Sequence, residues 1–221
     1  MRKRLSSVLI AGLFGAALAS GPAAAAVLTF EFNTEFSEAD SPVGPAPWIT
    51  VTFTDVGGGV DMLISNSGLT GSEFIQQGIF FNVDPSVSAS SLSFSHISGD
   101  EAETISKGTN AFKADGDGLY DIKLVYDNAP PADRFDAGDT SKYFISGGGI
   151  TSASFNFMSA PDGGHGPFLA AAHVGGIGAN AEGSGWVAPV PIPEPEAYAM
   201  LLAGLGLMGF VARRRSRKQG S

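Results

Sequence analysis

Between residues 27 and 189 the chain changes character every eight to twelve residues. Short runs of alternating apolar and polar side chains are cut off by Gly, Ser, Thr, Asn and Asp. A period of two puts every second side chain on one face of an extended strand, so each run can bury one face and wet the other. The run WITVTFTDV sets Ile49, Val51 and Phe53 against Thr50, Thr52 and Thr54. The next, GVDMLISN, aligns Val60, Met62 and Ile64. Gly57-Gly58-Gly59 separates the two and predicts a hairpin.

The pattern continues along the chain. EFIQQGIFFNVD reads as a strand with a bulge at Gly78, and SSLSFSHIS alternates Leu92, Phe94 and His96 against Ser93 and Ser95. GLYDIKLVYDN directs Tyr120, Ile122, Leu124 and Tyr126 one way and Asp121, Lys123 and Asp127 the other. KYFISG and ITSASFNFMS flank Gly147-Gly148-Gly149, which predicts a second hairpin with Phe155 and Phe157 facing the core. No window carries a sustained apolar stripe at 3.6 residues, and no internal repeat is present. Short strands at this spacing predict an all-β fold, a single β-sandwich or jelly-roll-like domain over residues 27–189.

Charge is distributed unevenly. The chain of 221 residues holds 13 Lys and Arg against 22 Asp and Glu, but eight of the cations lie in the first four and last nine residues. Residues 27–192 keep five cations and twenty acids, a net charge near −15. That argues against nucleic acid as a partner, because neutralising phosphates requires Lys and Arg. The chain has no cysteine, which excludes disulfides, thiolate metal sites and a cysteine nucleophile.

Both ends obey a different grammar. Arg2, Lys3 and Arg4 precede an apolar run from Val8 to Ala19 and then an alanine-rich stretch. This is the layout of a secretory signal peptide over residues 1–26. Ala24 and Ala26 form the small-residue recognition pair, and cleavage after Ala26 leaves Val27 as the new N-terminus. Export then involves the Sec machinery and signal peptidase. At the other end, a stalk with proline at every second position from Pro189 to Pro195 leads into Ala197–Ala212, 16 residues without charge. As a helix that run is about 24 Å long, short for a hydrocarbon core of roughly 30 Å. Arg213, Arg214 and Arg215 come next as a membrane stop, held on the cytoplasmic side by the positive-inside rule.

Pro193-Glu194-Pro195 keeps the chain extended just before that run. The succession of Pro-Glu-Pro, short apolar helix and arginine cluster resembles the PEP-CTERM sorting signal of exopolysaccharide-producing Gram-negative bacteria. The resemblance implies that residues 190–221 are a sorting signal. It implies recognition by exosortase, a membrane-embedded enzyme that supplies its own catalytic residues, and delivery of the body to the envelope or extracellular matrix. The stretches from PWITVTFTD to AAHVGGIGANAEGSGW are similar to a recurring group of small exported PEP-CTERM proteins, which carries no activity to transfer.

The search for chemistry in the body yields few leads. No G-x-S-x-G elbow is present. Of the three histidines, His96 falls on an apolar strand face, His165 lies in the loop DGGHGP, and His173 lies in LAAAHVGGIG. Asp115, Asp117 and Asp121 in ADGDGLYD are weak calcium candidates, and DRFDAGD adds Asp133, Asp136 and Asp139. Neither stretch fits an EF-hand loop, and Asp-Gly pairs also serve ordinary turns. Trp48 and Trp186 are candidates for stacking on sugar rings, with packing as the plainer role. The expectation is therefore no catalytic residue and no resident cofactor. The body is expected to be a binding or structural module that meets polysaccharide, with the membrane a transient partner through the tail. The alternatives are a secreted hydrolase of polysaccharide or ester substrates, built on paired acids or on His173 with a Ser and an Asp, and a permanently anchored surface protein.

Overall fold

The computed structural model describes residues 25–190 and Met208. Ten strands form one antiparallel sheet: β1 (Val27–Glu35), β2 (Ile49–Val56), β3 (Gly59–Ser65), β4 (Phe74–Phe81), β5 (Ser93–Gly99), β6 (Thr104–Ala114), β7 (Asp117–Val125), β8 (Thr140–Ser146), β9 (Ala170–Ile177) and β10 (Gly183–Pro189). Their order across the sheet is β5-β8-β3-β2-β1-β10-β9-β4-β7-β6. The all-β expectation holds, but the separate sheets of a sandwich are replaced by one unbroken ladder. Between strands lie three short 3₁₀ turns, Ala89–Ser91, Pro131–Asp133 and Ser152–Phe155.

The sheet curls until the inner faces of its two halves meet. Phe53 of β2 stands edge-on to Phe81 of β4 at 5.6 Å between ring centroids, although β1, β10 and β9 lie between those two strands in the sheet. Phe30 of β1 contacts the Phe53 ring at 5.6 Å, and Phe155 stacks on it at 4.1 Å with the planes 14° apart. Bulges assist the curl. Register shifts interrupt β1/β10, β9/β4, β5/β8 and β6/β7, and each adds local twist. Gly78 serves the one in β4: its φ is +119°, and a Cβ there would stand 2.2 Å from the Leu124 carbonyl oxygen. The two outermost strands, β5 and β6, form no ladder with each other. Lys107 of β6 reaches towards the start of β5, its Nζ donating to the Leu92 carbonyl at 2.5 Å.

The β2–β3 hairpin forms as expected, turning at Gly57-Gly58 with Val56 opposite Gly59. The second hairpin does not. After β8 the glycines at 147–149 all take positive φ and lead into the 3₁₀ turn Ser152–Phe155, with no returning strand. Thr151 and Ser154 cap that turn reciprocally. Phe155 still reaches the core, as the turn's last residue, while Phe157 is only half-buried.

Two apolar clusters result. The larger fills the concave side, with Phe32, Ile49, Val51, Met62, Ile79 and Ile122 fully buried. The smaller lies on the convex side of the β10-β9-β4-β7 half and contains Phe36, Phe80, Tyr120, Ala171, Trp186 and Ala188. A register shift in β1 between Phe32 and Thr34 carries the chain from one cluster to the other. Phe30 and Phe32 point inward before it, and Phe36 joins the outer cluster after it. Gly185 leaves room for the chain beyond, since a Cβ there would strike the Asp40 carbonyl oxygen at 2.1 Å.

Phe53→Ala removes the ring that both halves of the sheet share. The expected loss is about 4 kcal/mol of unfolding free energy, read from urea denaturation. Leu63→Ala on the same hairpin, 40% exposed, should cost under about 1 kcal/mol.

Candidate functional site

Every residue of β9 is buried, on both faces of the sheet. The concave face is closed by the main core. The convex face is closed by two segments that fold back over it: residues 36–40, hydrogen-bonded to β10 through Phe36 N–H to Trp186 O (3.0 Å), and residues 157–169. Ser159 and Phe168 pin the second segment by Ser159 N–H to Phe168 O (2.8 Å) and Phe168 N–H to Ser159 Oγ (3.1 Å). Phe168 then packs on Phe36 at 4.5 Å.

His173 lies beneath this cover, in the middle of β9 rather than at a strand end. Its ring packs on Trp186 at 4.7 Å, and Trp186 packs in turn on Phe80 at 5.5 Å. His173 Nδ1 has no hydrogen-bond partner among the described residues, nor does Oε1 of Gln76, whose side chain crosses Gly175. Burial pushes the His173 imidazole down to about 4. Trp186 is therefore packed between a histidine and a phenylalanine, at 6% exposure, and presents no open ring face. Trp48 is similarly enclosed, its indole N–H donating to Gly44 O at 2.8 Å. His96 rests against Tyr143 at 5.4 Å with Nδ1 3.9 Å from Glu101, and His165 Nε2 is 3.8 Å from Glu38.

The aspartates divide into two groups with different work. Asp121 is buried and spends both carboxylate oxygens on backbone: Oδ2 accepts Val83 N–H at 3.1 Å and Oδ1 accepts Asn110 N–H at 2.7 Å. It fastens the end of β4 to the bulge of β6. Asp115 occupies the turn before β7 with φ +50°, and the side chain of Asp117 lies outside the described residues. Asp133 is exposed in its 3₁₀ turn. Asp136 and Asp139 instead gather with Asp100, which the pairing of β5 with β8 delivers from far away in sequence. Burial first, then the charges of Asp139 and Asp136, raises Asp100 above the usual carboxylate range, while His96 opposes the rise. Burial and then Asp139 raise Asp136, against Arg134. Asn66 sits fully buried behind this loop, donating to Phe135 O (3.2 Å) and Asp136 O (3.3 Å). Among the described residues no three Asp, Glu or His side chains form a set able to hold a metal ion.

Asp100 is the member of this group that sequence reading misses, because only the strand pairing places it there. A further acid, Glu73, is buried as a loop clamp: Oε1 accepts Val43 N–H and Oε2 accepts Thr70 N–H, both at 2.7 Å. It lines an open groove of about 410 Å³ with Thr70, Ser72, Gly176 and Ala179.

His173 makes a pH signature. The unfolded chain takes up a proton near pH 6.5, and the folded state resists until about 4, so stability falls as pH drops between those values. From pH 7.5 to 5.0 the expected loss is about 2 kcal/mol. Asp100 and Asp136 act oppositely, since their raised values favour the folded state as they protonate. His173→Leu should flatten the slope above pH 5 in urea titrations; an unchanged slope would remove His173 as its source.

Of the terminal residues that the sequence singles out, Ala26 and Val27 are described. Ala26 O accepts Asp55 N–H at 2.9 Å, and Val27 opens β1, paired with Thr54. Ala24, Pro193, Glu194, Pro195 and Arg213–Arg215 lie outside the described residues, as does all of the 197–212 segment except Met208. Among the described residues no helix is long and apolar enough to cross a membrane.

No curated protein and no solved structure matches the chain. A family model does match at the C-terminal end, directly after the last strand and its exposed Val190. Residues 191–215 match the PEP-CTERM protein-sorting motif, and the chain is thus a protein that carries this motif.

Proposed function

We propose that this is an exported envelope or extracellular-matrix protein, delivered through its PEP-CTERM tail, whose β body is a binding or structural module associated with exopolysaccharide. The observation that carries the reading is the position of the sorting motif at 191–215, beginning two residues after β10 ends at Pro189. Export and exosortase-directed surface sorting follow from the motif. The signal peptide over 1–26 starts translocation, the uncharged run 197–212 stops it, and Arg213–Arg215 hold its cytoplasmic end. Cleavage after Ala26 would leave β1 whole, since its first residue is Val27. Processing near Pro193–Pro195 would leave β10 whole in the same way.

In this reading the body carries no catalytic residue, and exosortase does the chemistry. Proline at every second position from Pro189 to Pro195 favours an extended backbone by its chemistry, a form that a processing enzyme can grip. Replacing Pro193-Glu194-Pro195 by three alanines in a host that contains exosortase should leave a larger species in the membrane fraction. Mass spectrometry of the C-terminus would identify it. A variant released at the normal size would refute the role of the motif.

A further inference from the structure

The two halves of the sheet treat their convex faces differently. The β10-β9-β4-β7 half is closed over by residues 36–40 and 157–169. On the β5-β8-β3-β2-β1 half, the outward side chains are exposed or half-buried, and no described segment covers them. Register lays these side chains out in rows that run across the strands. One row is Thr29, Thr52, Leu63 and Lys142, from β1 through β8. The neighbouring row is Thr54, Asp61, Phe144 and Ser95, from β2 to the edge strand β5.

The chemistry of this face is that of hydroxyls. Thr29 and Thr52 approach within 3.5 Å through their Oγ1 atoms, and each such group can both donate and accept. Its central charges cancel: Asp61 and Lys142 form an ion pair at 2.8 Å. On a body near −15, a face whose rows carry one net acid, Glu31 in the row Glu31, Thr50, Ser65 and Thr140, is a departure that suits a partner without charge. Anionic lipid and nucleic acid would be repelled by the surrounding acids, and a cationic partner would be drawn to the acidic loops instead. A protein partner fits poorly as well, because interface cores favour aromatic residues, Met and Arg and are depleted in Ser and Lys. An uncharged polymer of hydroxyl groups matches the surface on display. Phe144 and Leu63 add apolar surface for the C–H faces of sugar rings.

The spacing agrees. Adjacent strands are about 4.8 Å apart, comparable to the advance of one pyranose in an extended glycan. A glycan lying across the strands would meet a new strand, and a new hydroxyl or apolar contact, at each ring. Five strands give a track of roughly 20 Å. We infer that this uncovered face binds a neutral polysaccharide chain running across β1, β2, β3, β8 and β5. The inference rests on the reading of the body as a binding module and names its surface and its ligand class.

The test is co-sedimentation of the full chain, in mild detergent, with insoluble cellulose, mannan and cross-linked dextran. At least one should retain the wild-type protein. The double variant Thr29→Glu/Thr52→Glu should weaken that retention at least tenfold with an unchanged melting temperature. Leu63→Glu, a single exposed change, should weaken it in the same direction, and Ser88→Glu, exposed outside the face, should not. If the wild type binds and both face variants bind equally well, the assignment of the face is overturned while the binding-module reading stands. If the wild type binds none of the three, both fall. Concentration-dependent dimerisation in sedimentation velocity, lost in the face variants, would give the surface to a second copy of the chain and also overturn the proposal.

Discussion

The packing of Phe53 against Phe81 is the contact on which the rest of this structure depends. A ten-stranded antiparallel sheet left open would expose one apolar face along its entire width. Here the sheet closes on itself, and the two inner faces cover each other as the layers of a sandwich do. Phe53 is where the halves meet most directly, with Phe30, Phe81 and Phe155 around one ring. Each aromatic pair adds about 1 kcal/mol beyond the area it buries. The bulges that permit this curl are thus as necessary to the core as the apolar residues.

Curling leaves a second problem, the convex surface, and the chain solves it twice by different means. On one half it uses residues 36–40 and 157–169 as a lid and buries aromatic rings beneath it. That arrangement makes β9 apolar or small on both faces and isolates His173 from water, which is why its imidazole stays neutral well below the usual value. On the other half the strands turn hydroxyls outward and need no lid. The edges of the sheet are blunted by the bulges in β5 and β6 and by Lys107 and Lys113 on β6, which discourages strand addition by other chains.

The same two solutions decide how much of the fold is legible in the sequence. Strands with one wet face reveal themselves by alternation, and β2, β3 and β5 keep to their patterns, as does the bulge at Gly78. In β7, by contrast, Tyr120 joins the outer cluster while Ile122, Leu124 and Tyr126 face the main core, and Asp121 is buried rather than wet. β9 shows no alternation, because AAAHVGGI is covered on both sides and a doubly buried strand loses its period. Gly147–Gly149 suggests a hairpin because glycine permits a turn, but it does not specify the element after the turn. Here Thr151 and Ser154 cap a 3₁₀ turn instead of starting a strand. The gathering of Asp100 with Asp136 and Asp139 escapes a sequence reading for a different reason. It is created by the β5–β8 pairing, and no local pattern encodes a contact across the order of a sheet. Asp121 shows the converse: a carboxylate in an Asp-Gly-rich stretch proves to be a fastener for two backbone amides.

The relation between body and tail is set by where the buried residues stop. Every buried apolar side chain among the described residues lies between Phe30 and Pro189, within the span of β1 to β10. Those two strands are adjacent in the sheet, so the chain enters and leaves the fold at neighbouring positions in its centre. A cut before Val27 or after Val190 removes no described core contact. The sorting motif at 191–215 can therefore act on the chain's destination without drawing on the energy that holds the sheet closed. A body whose stability is independent of its address can be processed at the membrane and still arrive folded, with both of its convex faces intact.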